Sequence, residues 1–242
     1  MASFKKIAHR GASGEYPENT RLAFAKAIEA RVDMIELDCQ LTRDGHVVIF
    51  HDERLGRTAG SRGLVRDKTL EQLKKLDIGQ WRKKAYKGER ILALEEALAT
   101  VAGHVDLCIE IKSFAGSPPG IELKLLFILS HYDYLERAII SSFDYRVLSR
   151  VRELAPDAPI AVLFGSRIKE DPFDAAKRLN AVAINVQKEL ASREFLRRAW
   201  DEGLDVFVWT VNDVREMEEF ASRGIQGLIS DFPEKFWQLK RR

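Results

Sequence analysis

Short apolar runs alternate with amphipathic stretches along almost the whole chain. The apolar runs are rich in β-branched residues and are bounded by Gly, Pro, Asp or Asn, which is typical of strands. The stretches between them have helical spacing, and one of them begins after the capping residue Ser192 and ends at Gly203. The pattern predicts strands at residues 6–9, 34–41, 47–50, 106–111, 138–141, 160–164, 183–186, 205–211 and 228–230, and helices at 20–30, 94–101, 121–131, 145–154, 172–179, 192–202 and 214–223.

This alternation predicts parallel strands joined by right-handed crossovers. About eight strand–helix units in 242 residues suit a closed (β/α)8 barrel, or TIM barrel, better than an open doubly wound sheet. The sequence has neither a GxGxxG nor a GxxxxGK(S/T) loop after the first strand, which argues against the nucleotide-binding open sheets. We therefore predict a single α/β TIM-barrel domain over residues 1–242.

Residues 52–90 interrupt this rhythm because they contain few apolar runs. Twelve Lys and Arg against six Asp and Glu give this stretch a net charge of +6, in a chain whose total is +2. We expect a small inserted subdomain after the second strand pair rather than a separate domain. Two interpretations of it stay open: a solvated surface excursion, or a basic lid that attracts an anionic substrate to the barrel mouth.

Composition narrows the classes of function. The chain is 45% hydrophobic and 31% charged, and its nearly balanced charge gives no reason to expect nucleic acid or a membrane surface as a partner. The longest plain apolar run, residues 125–129, is too short to span a membrane, and residues 1–6 lack the apolar core of a signal peptide. Cys39 and Cys108 suit buried thiols in a reducing compartment. We therefore expect a cytoplasmic protein without stable membrane association.

Carboxylates occupy the ends of predicted barrel strands, where TIM barrels carry their active sites. Glu36 and Asp38 are two residues apart in one strand and so share a face. Glu110 ends the third barrel strand, with Lys112 two residues further on. Buried carboxylates need a partner, and three of them without a His or Cys ligand set suit Mg²⁺ or Ca²⁺. Buried salt bridges with Lys112 and Arg10 are the alternative.

Two histidines, His9 and His51, also end strand-like runs. A single histidine there is more often structural, but a pair beside three carboxylates at the same end of the barrel suits general acid–base catalysis. With Arg10 and Lys112 as cationic donors, the parts fit phosphoryl transfer. Trp209, at the end of a later strand, is either simple core or an apolar wall for a small alcohol group.

Ten short motifs follow one another along the chain. They are HRG at residues 9–11, PENT at 17–20, ELD at 36–38, LTRDG at 41–45, VIFHD at 48–52, LEEAL at 94–98, EIK at 110–112, SF at 142–143, WTVN at 209–212 and SDFP at 230–233. In this combination and order, the sequence resembles the glycerophosphodiester phosphodiesterase family over essentially its whole length. Any one of the motifs alone would not be specific.

The resemblance implies a TIM barrel with the family's inserted subdomain at residues 52–90. It implies hydrolysis of glycerophosphodiesters, such as glycerophosphocholine and glycerophosphoethanolamine, to sn-glycerol 3-phosphate and an alcohol, with one divalent cation, Mg²⁺ or Ca²⁺. The residues that match the family's pattern are Glu36, Asp38 and Glu110 as metal ligands, His9 and His51 as the acid–base pair, and Arg10, Lys112 and Trp209 as substrate-binding residues.

Alternatives remain at the level of substrate and mechanism. A related barrel phospholipase of the D or C type, acting on lysophospholipids or membrane lipids, is the second interpretation, and a non-catalytic binder is the third. We expect a small-molecule substrate and a monomer or homodimer. A cyclic phosphate formed by the glycerol 2-hydroxyl is a mechanistic hypothesis, and Asp52 is a candidate for orienting His51.

Overall fold

The computed structural model describes residues 4–240, which form a closed barrel of parallel strands surrounded by helices. The strands are β1 (Lys5–His9), β2 (Met34–Leu41), β3 (Val47–Ile49), β4 (Leu92–Ala93), β5 (Asp106–Ile111), β6 (Ala138–Ser142), β7 (Ile160–Phe164), β8 (Ala183–Gln187), β9 (Asp205–Trp209) and β10 (Gly227–Ser230). Eight of them pair in the order β1-β2-β5-β6-β7-β8-β9-β10, and β10 pairs with β1 to close the sheet. The predicted (β/α)8 barrel is confirmed.

Nine helices lie within residues 4–240. They are α1 (Arg21–Glu29), α2 (Gly56–Ala59), α3 (Leu70–Lys74), α4 (Leu94–Val101), α5 (Ile121–His131), α6 (Tyr145–Leu154), α7 (Pro172–Leu179), α8 (Arg193–Asp201) and α9 (Val214–Ser222). All except α2 and α3, which belong to an inserted segment, surround the barrel. The predicted capping works as expected at α8, where the Ser192 side chain accepts a hydrogen bond from the Phe195 backbone N–H. All seven predicted helices are present within one residue of their predicted bounds.

The predicted strand at residues 47–50 is real but does not belong to the barrel. As β3 it pairs antiparallel with the end of β2, with Cys39 opposite Ile49, and then with the two-residue β4. This ribbon extends β2 beyond the barrel rim. This agrees with the assignment of Glu110 to the third barrel strand, which leaves residues 47–50 outside the barrel; the antiparallel pairing was not predicted.

The inserted segment between β3 and β4 contains α2, α3 and two turns of 3₁₀ helix. It packs on a small apolar core of its own, separate from the barrel core. The buried side chains of this core are Val48, Phe50, Leu55, Val65, Leu73, Ile78 and Ile91. These residues are spaced widely along the sequence, which is why the segment showed few apolar runs.

The barrel interior is closed below the mouth by a layer of apolar side chains. Its members are Ile7, Met34, Cys108, Phe207 and Ile229.

Both cysteines, Cys39 and Cys108, are buried free thiols. Within residues 4–240, none of the helices combines the length and the apolar character that crossing a membrane requires. The expectation that the chain has no signal peptide was based on residues 1–6, of which residues 1–3 lie outside the described residues.

Phe207 is a direct test of this interior layer because its side chain is fully buried on β9. We expect Phe207→Ala to lower the free energy of unfolding by about 3–5 kcal/mol, since it leaves a cavity inside the barrel. Phe127→Ala, at a side chain that is 70% exposed on α5, serves as the control and should change it by less than about 0.5 kcal/mol. Urea unfolding measures both, and equal effects would contradict the described packing.

Candidate active site

The barrel brings the predicted cation ligands together at the carboxyl-terminal ends of its strands. Parallel pairing sets His9 of β1 beside Glu36 of β2, and Asp38 of β2 beside Glu110 of β5. Paired positions of neighbouring strands point to the same face of a sheet, so these four side chains share the inner face. One carboxylate oxygen from each of the three acidic residues lies within 4.8 Å of the other two, and all three residues are buried.

Two cations contact the same carboxylates. Lys112 Nζ lies 2.6 Å from Glu110 Oε1 and 3.0 Å from Asp38 Oδ1. Arg10 Nε lies 3.2 Å from Asp38 Oδ2, and the Arg10 backbone N–H donates to Glu36 Oε2 at 3.0 Å. The sequence left two interpretations open, a cation site and buried ion pairs. The buried ion pairs are present, and the same three carboxylates are also close enough together to hold a cation.

The cluster has an excess of negative charge, because three carboxylates face two cations. Burial, and then repulsion from Asp38, raise the pKa of Glu36 well above its usual value. Burial also raises the pKa of Glu110, whereas Lys112 and Arg10 outweigh burial and lower the pKa of Asp38. The raised pKa values of Glu36 and Glu110 reflect this crowding of negative charge, which further positive charge would relieve. An oxygen-only donor set with excess negative charge fits a hard divalent cation such as Mg²⁺ or Ca²⁺.

Backbone turns after β1 hold this cluster in place. Arg10 has a φ of 55° and Gly11 a φ of 79°, both in the left-handed region, which costs energy for a residue other than glycine. A Cβ on Gly11 would lie 2.7 Å from the backbone carbon of Ala23, so this position requires glycine. The turn directs both the backbone N–H and the guanidinium of Arg10 towards the carboxylates. Nearby, Asn19 Nδ2 donates to Asp38 Oδ2 at 2.8 Å.

Each of the two predicted histidines is held by an aspartate through its Nδ1 atom. His9 Nδ1 is 2.6 Å from Asp231 Oδ1, and His51 Nδ1 is 2.7 Å from Asp52 Oδ1. With Nδ1–H donating to a carboxylate, Nε2 of each ring is left to exchange a proton with a substrate. His9 Nε2 lies 3.9 Å from Glu36 Oε2, beside the carboxylate cluster. Burial lowers the pKa of His51.

Asp231 is a site residue that the sequence reasoning did not single out. Burial alone would raise its pKa, but hydrogen bonds with His9, Asn212 and Ser13 lower it to about 2. Asn212 Nδ2 donates to Asp231 Oδ2 at 2.6 Å, and Ser13 Oγ donates to Asp231 Oδ1 at 3.0 Å. Asp231 follows the last barrel strand directly, and this position could have indicated it. Closure of the barrel brings it to His9, 222 residues away in sequence.

The inserted segment supports His51 through Arg57 of α2. Arg57 Nε donates to Asp52 Oδ2 at 2.7 Å, while its two terminal nitrogens donate to Glu18 at 2.6 and 2.8 Å. Glu18 also accepts a hydrogen bond from Arg10 Nη1 at 2.9 Å. The segment therefore connects Asp52 to the turn that carries Arg10.

Two cavities meet at the cluster. The inner cavity, of about 190 Å³, lies within the barrel mouth and is lined by His9, Leu163, Asn185, Trp209 and Ile229 among others. The outer cavity, of about 590 Å³, lies between the inserted segment and the loops after β5 and β6, and is lined by Asp52, Arg54, Arg57, Phe114 and Asp144 among others. His51, Glu110, Lys112 and Phe143 line both.

Trp209 forms one wall of the inner cavity. Its indole Nε1–H donates to the Asn185 backbone carbonyl at 2.9 Å, and the Phe143 ring packs edge-on against it at a centroid distance of 5.8 Å. The ring is thus fixed at the mouth rather than buried in the core. The eight residues predicted as metal ligands, acid–base pair and substrate-binding residues lie at this one end of the barrel, and all of them except Asp38 line at least one of the two cavities.

Oriented histidines and cations beside three carboxylates that could hold a divalent cation fit the requirements of phosphodiester cleavage. Comparison with known proteins agrees. Residues 9–235 match the family model of the glycerophosphoryl diester phosphodiesterase family. The chain is 40% identical to the glycerophosphodiester phosphodiesterase of Caldanaerobacter subterraneus over 98% of its length and 97% of the relative. It is 34% identical to that of Bacillus subtilis, with 97% and 86% of the two chains covered.

Solved structures agree with the sequence comparison. A phosphodiesterase from Oleispira antarctica, solved in complex with the product sn-glycerol-3-phosphate, superimposes with a TM-score of 0.88 at 28% identity, covering 96% of this chain and 94% of that one. The chain belongs to the glycerophosphoryl diester phosphodiesterase family.

Glu36→Gln tests the cation site, because it mimics the protonated carboxyl and removes like-charge repulsion. Without divalent cations, we expect the variant to be at least as stable to heat as the wild type. Mg²⁺ or Ca²⁺ should raise the melting temperature of the wild type, more strongly at higher pH because the ion displaces the Glu36 proton, and should raise that of the variant much less. Thermal unfolding at several pH values measures this, and equal stabilisation of both proteins would contradict the site.

Proposed function

We propose that this enzyme hydrolyses glycerophosphodiesters, such as glycerophosphocholine, to sn-glycerol 3-phosphate and an alcohol. The observation that carries the proposal is the pair of aspartate-held histidines, His9 and His51, beside a buried cluster of three carboxylates and two cations. The similar Oleispira enzyme, with sn-glycerol-3-phosphate as its product, supports this substrate class. The names of the two bacterial relatives that are 40% and 34% identical favour it over the alternative of a barrel phospholipase acting on lysophospholipids or membrane lipids.

Charge neutralisation of the phosphodiester is the first requirement. Glu36, Asp38 and Glu110 would hold the divalent cation, which when bound supplies positive charge to a phosphate oxygen. Arg10 and Lys112 are the phosphate-binding cations of the proposal. Each has N–H donors beyond those that contact the carboxylates, and both line the inner cavity. A phosphate there would be met by positive charge without losing the ion pairs that keep these side chains in place.

Proton transfer is assigned from the two cavities. We place the glycerol phosphate in the inner cavity and the leaving alcohol in the outer cavity. His51 lines both cavities, so it would stand beside the phosphorus–oxygen bond that breaks and protonate the leaving oxygen. His9 lines the inner cavity and would take the proton from the attacking oxygen. The attacking oxygen is that of water or of the glycerol 2-hydroxyl, and the second route gives a cyclic phosphate that water then opens.

Further expectations from the sequence remain part of this proposal. The cation is Mg²⁺ or Ca²⁺, the location is the cytoplasm, and the chain is a monomer or homodimer without nucleic acid or a membrane as a stable partner. The inserted segment would act on the substrate from the side of the outer cavity, where Arg54 and Arg57 lie.

Release of sn-glycerol 3-phosphate from glycerophosphocholine tests the reaction. We expect release with Mg²⁺ or Ca²⁺ and none after EDTA. His9→Ala and His51→Ala should bind the substrate but lose turnover, because each removes a proton-transfer group. His104→Ala, at an exposed position away from the site, is the control and should behave as the wild type. No release with either cation, or full turnover in both histidine variants, would contradict the proposal.

Asp231→Asn tests whether orientation of the His9 ring matters. The amide can donate to Nδ1 and so favours the wrong tautomer, which we expect to lower kcat by up to about 10⁴-fold with little change in KM. Glu234→Gln is a matched control at an exposed carboxylate three residues further on. Steady-state kinetics and circular dichroism of both variants measure the effect. A kcat close to that of the wild type in a folded Asp231→Asn protein would show that this hydrogen bond has no role.

A further inference from the structure

The inner cavity contains a buried amide to which the proposed chemistry gives no role. Away from the charged cluster, the cavity walls are largely apolar and include Leu163, Trp209 and Ile229. Asn185, on β8, lines the same cavity and is only 1% exposed. Asn185 Nδ2 lies 3.4 Å from Cys108 Sγ, a weak acceptor, and Oδ1 has no hydrogen-bond partner among residues 4–240.

An amide in this environment is costly unless a ligand completes its hydrogen bonds. A buried polar atom without a partner loses its hydrogen bonds to water, and no hydrogen bond within the protein replaces them. The oxygen and nitrogen of an amide can be exchanged by a flip, but either orientation leaves one polar atom beside a thiol and the other without a partner. Ser141 also lines this part of the cavity, but its hydroxyl donates to the Ile109 backbone carbonyl, so Asn185 offers the unused hydrogen-bonding position for a ligand hydroxyl group.

Register places Asn185 on the floor of the cavity. Gln187 pairs with Trp209 of β9 at the mouth, and Asn185 pairs with Phe207, which belongs to the apolar layer that closes the barrel. The groups that would bind the phosphate, Arg10 and Lys112, lie at the mouth. A glycerol phosphate that enters with its phosphate at the mouth therefore points the opposite end of its carbon chain towards Asn185.

We propose that Asn185 binds the glycerol hydroxyl farthest from the phosphate, and that this contact restricts the enzyme to diesters whose glycerol is not acylated. The inference rests on the proposed function and specifies its substrate class. A lysophospholipid with its acyl chain on that oxygen has no hydroxyl proton to donate there. Its chain would also have to extend into the inner end of a cavity of about 190 Å³, below the roughly 300–1,000 Å³ typical of pockets for larger ligands.

The test compares ligands that differ only in this hydroxyl. The ligands are sn-glycerol 3-phosphate and its 1-deoxy analogue for binding, and glycerophosphocholine, its 1-deoxy analogue and a short-chain 1-acyl lysophosphatidylcholine for turnover. For the wild type, we expect the 1-deoxy and acylated substrates to have kcat/KM values lower by about 100-fold or more, because a site built around a hydroxyl rejects analogues that lack it. Calorimetry should give a matching loss of affinity for the 1-deoxy phosphate.

Variants assign this selectivity to a residue. Asn185→Leu should lower the affinity for sn-glycerol 3-phosphate and kcat/KM for glycerophosphocholine, but leave the values for the 1-deoxy ligands nearly unchanged. Gln187→Leu is the matched control, since it removes an amide of the same strand that accepts a hydrogen bond from the Ser166 backbone N–H at 3.1 Å. It should keep the wild-type preference.

The outcomes separate this inference from the proposed function. If the wild type treats the parent and 1-deoxy ligands alike within about threefold, the inference is overturned even when glycerophosphocholine is hydrolysed. If selective binding of sn-glycerol 3-phosphate depends on Asn185 but no diester is hydrolysed, the inference stands and the proposed reaction fails. Should Asn185→Leu fail to fold, the comparison of ligands on the wild type alone still decides whether the hydroxyl is recognised.

Discussion

The site depends on a charge imbalance that the barrel holds out of solvent. Strand register brings one oxygen of each of Glu36, Asp38 and Glu110 within 4.8 Å of the others, and Arg10 and Lys112 compensate only part of their charge. Such an arrangement persists only because packing over-determines the positions of the strands. The remaining deficit of positive charge is what makes the cluster suitable for a divalent cation and, beside it, for an anionic phosphodiester.

The two histidine rings are oriented in different ways, one by a long-range contact and the other by a local one. His9 near the start of the chain is held by Asp231 near its end, because β1 and β10 close the sheet. His51 is held by its neighbour Asp52, which the inserted segment anchors through Arg57. The segment thus has a structural role beside the active site in addition to bordering the outer cavity, so changes within it are expected to reach the chemistry through His51.

The local sequence pattern predicted the barrel, its helices and most of the candidate site residues. The features that it did not predict depend on contacts between residues far apart in sequence. The two-residue spacing of Glu36 and Asp38 predicted a shared buried face because a strand has a period of two. The antiparallel pairing of β3 and the small core of the inserted segment depend on residues far apart in sequence. For the same reason the roles of Asp231 and Asn185 were not predicted. The role of an aspartate after a strand, or of an asparagine within one, depends on which residues the closed barrel places beside it.

The central claim is that the three carboxylates form one divalent-cation site next to the histidine pair. Crystals grown with Ca²⁺ or Mn²⁺ would test it most directly, by locating the ion from its anomalous scattering. The account predicts a single ion bound by Glu36, Asp38 and Glu110, with Ca²⁺–oxygen distances of about 2.3–2.6 Å. The account would be contradicted if, at saturating cation, the ion were bound elsewhere and the three carboxylates contacted only Arg10 and Lys112.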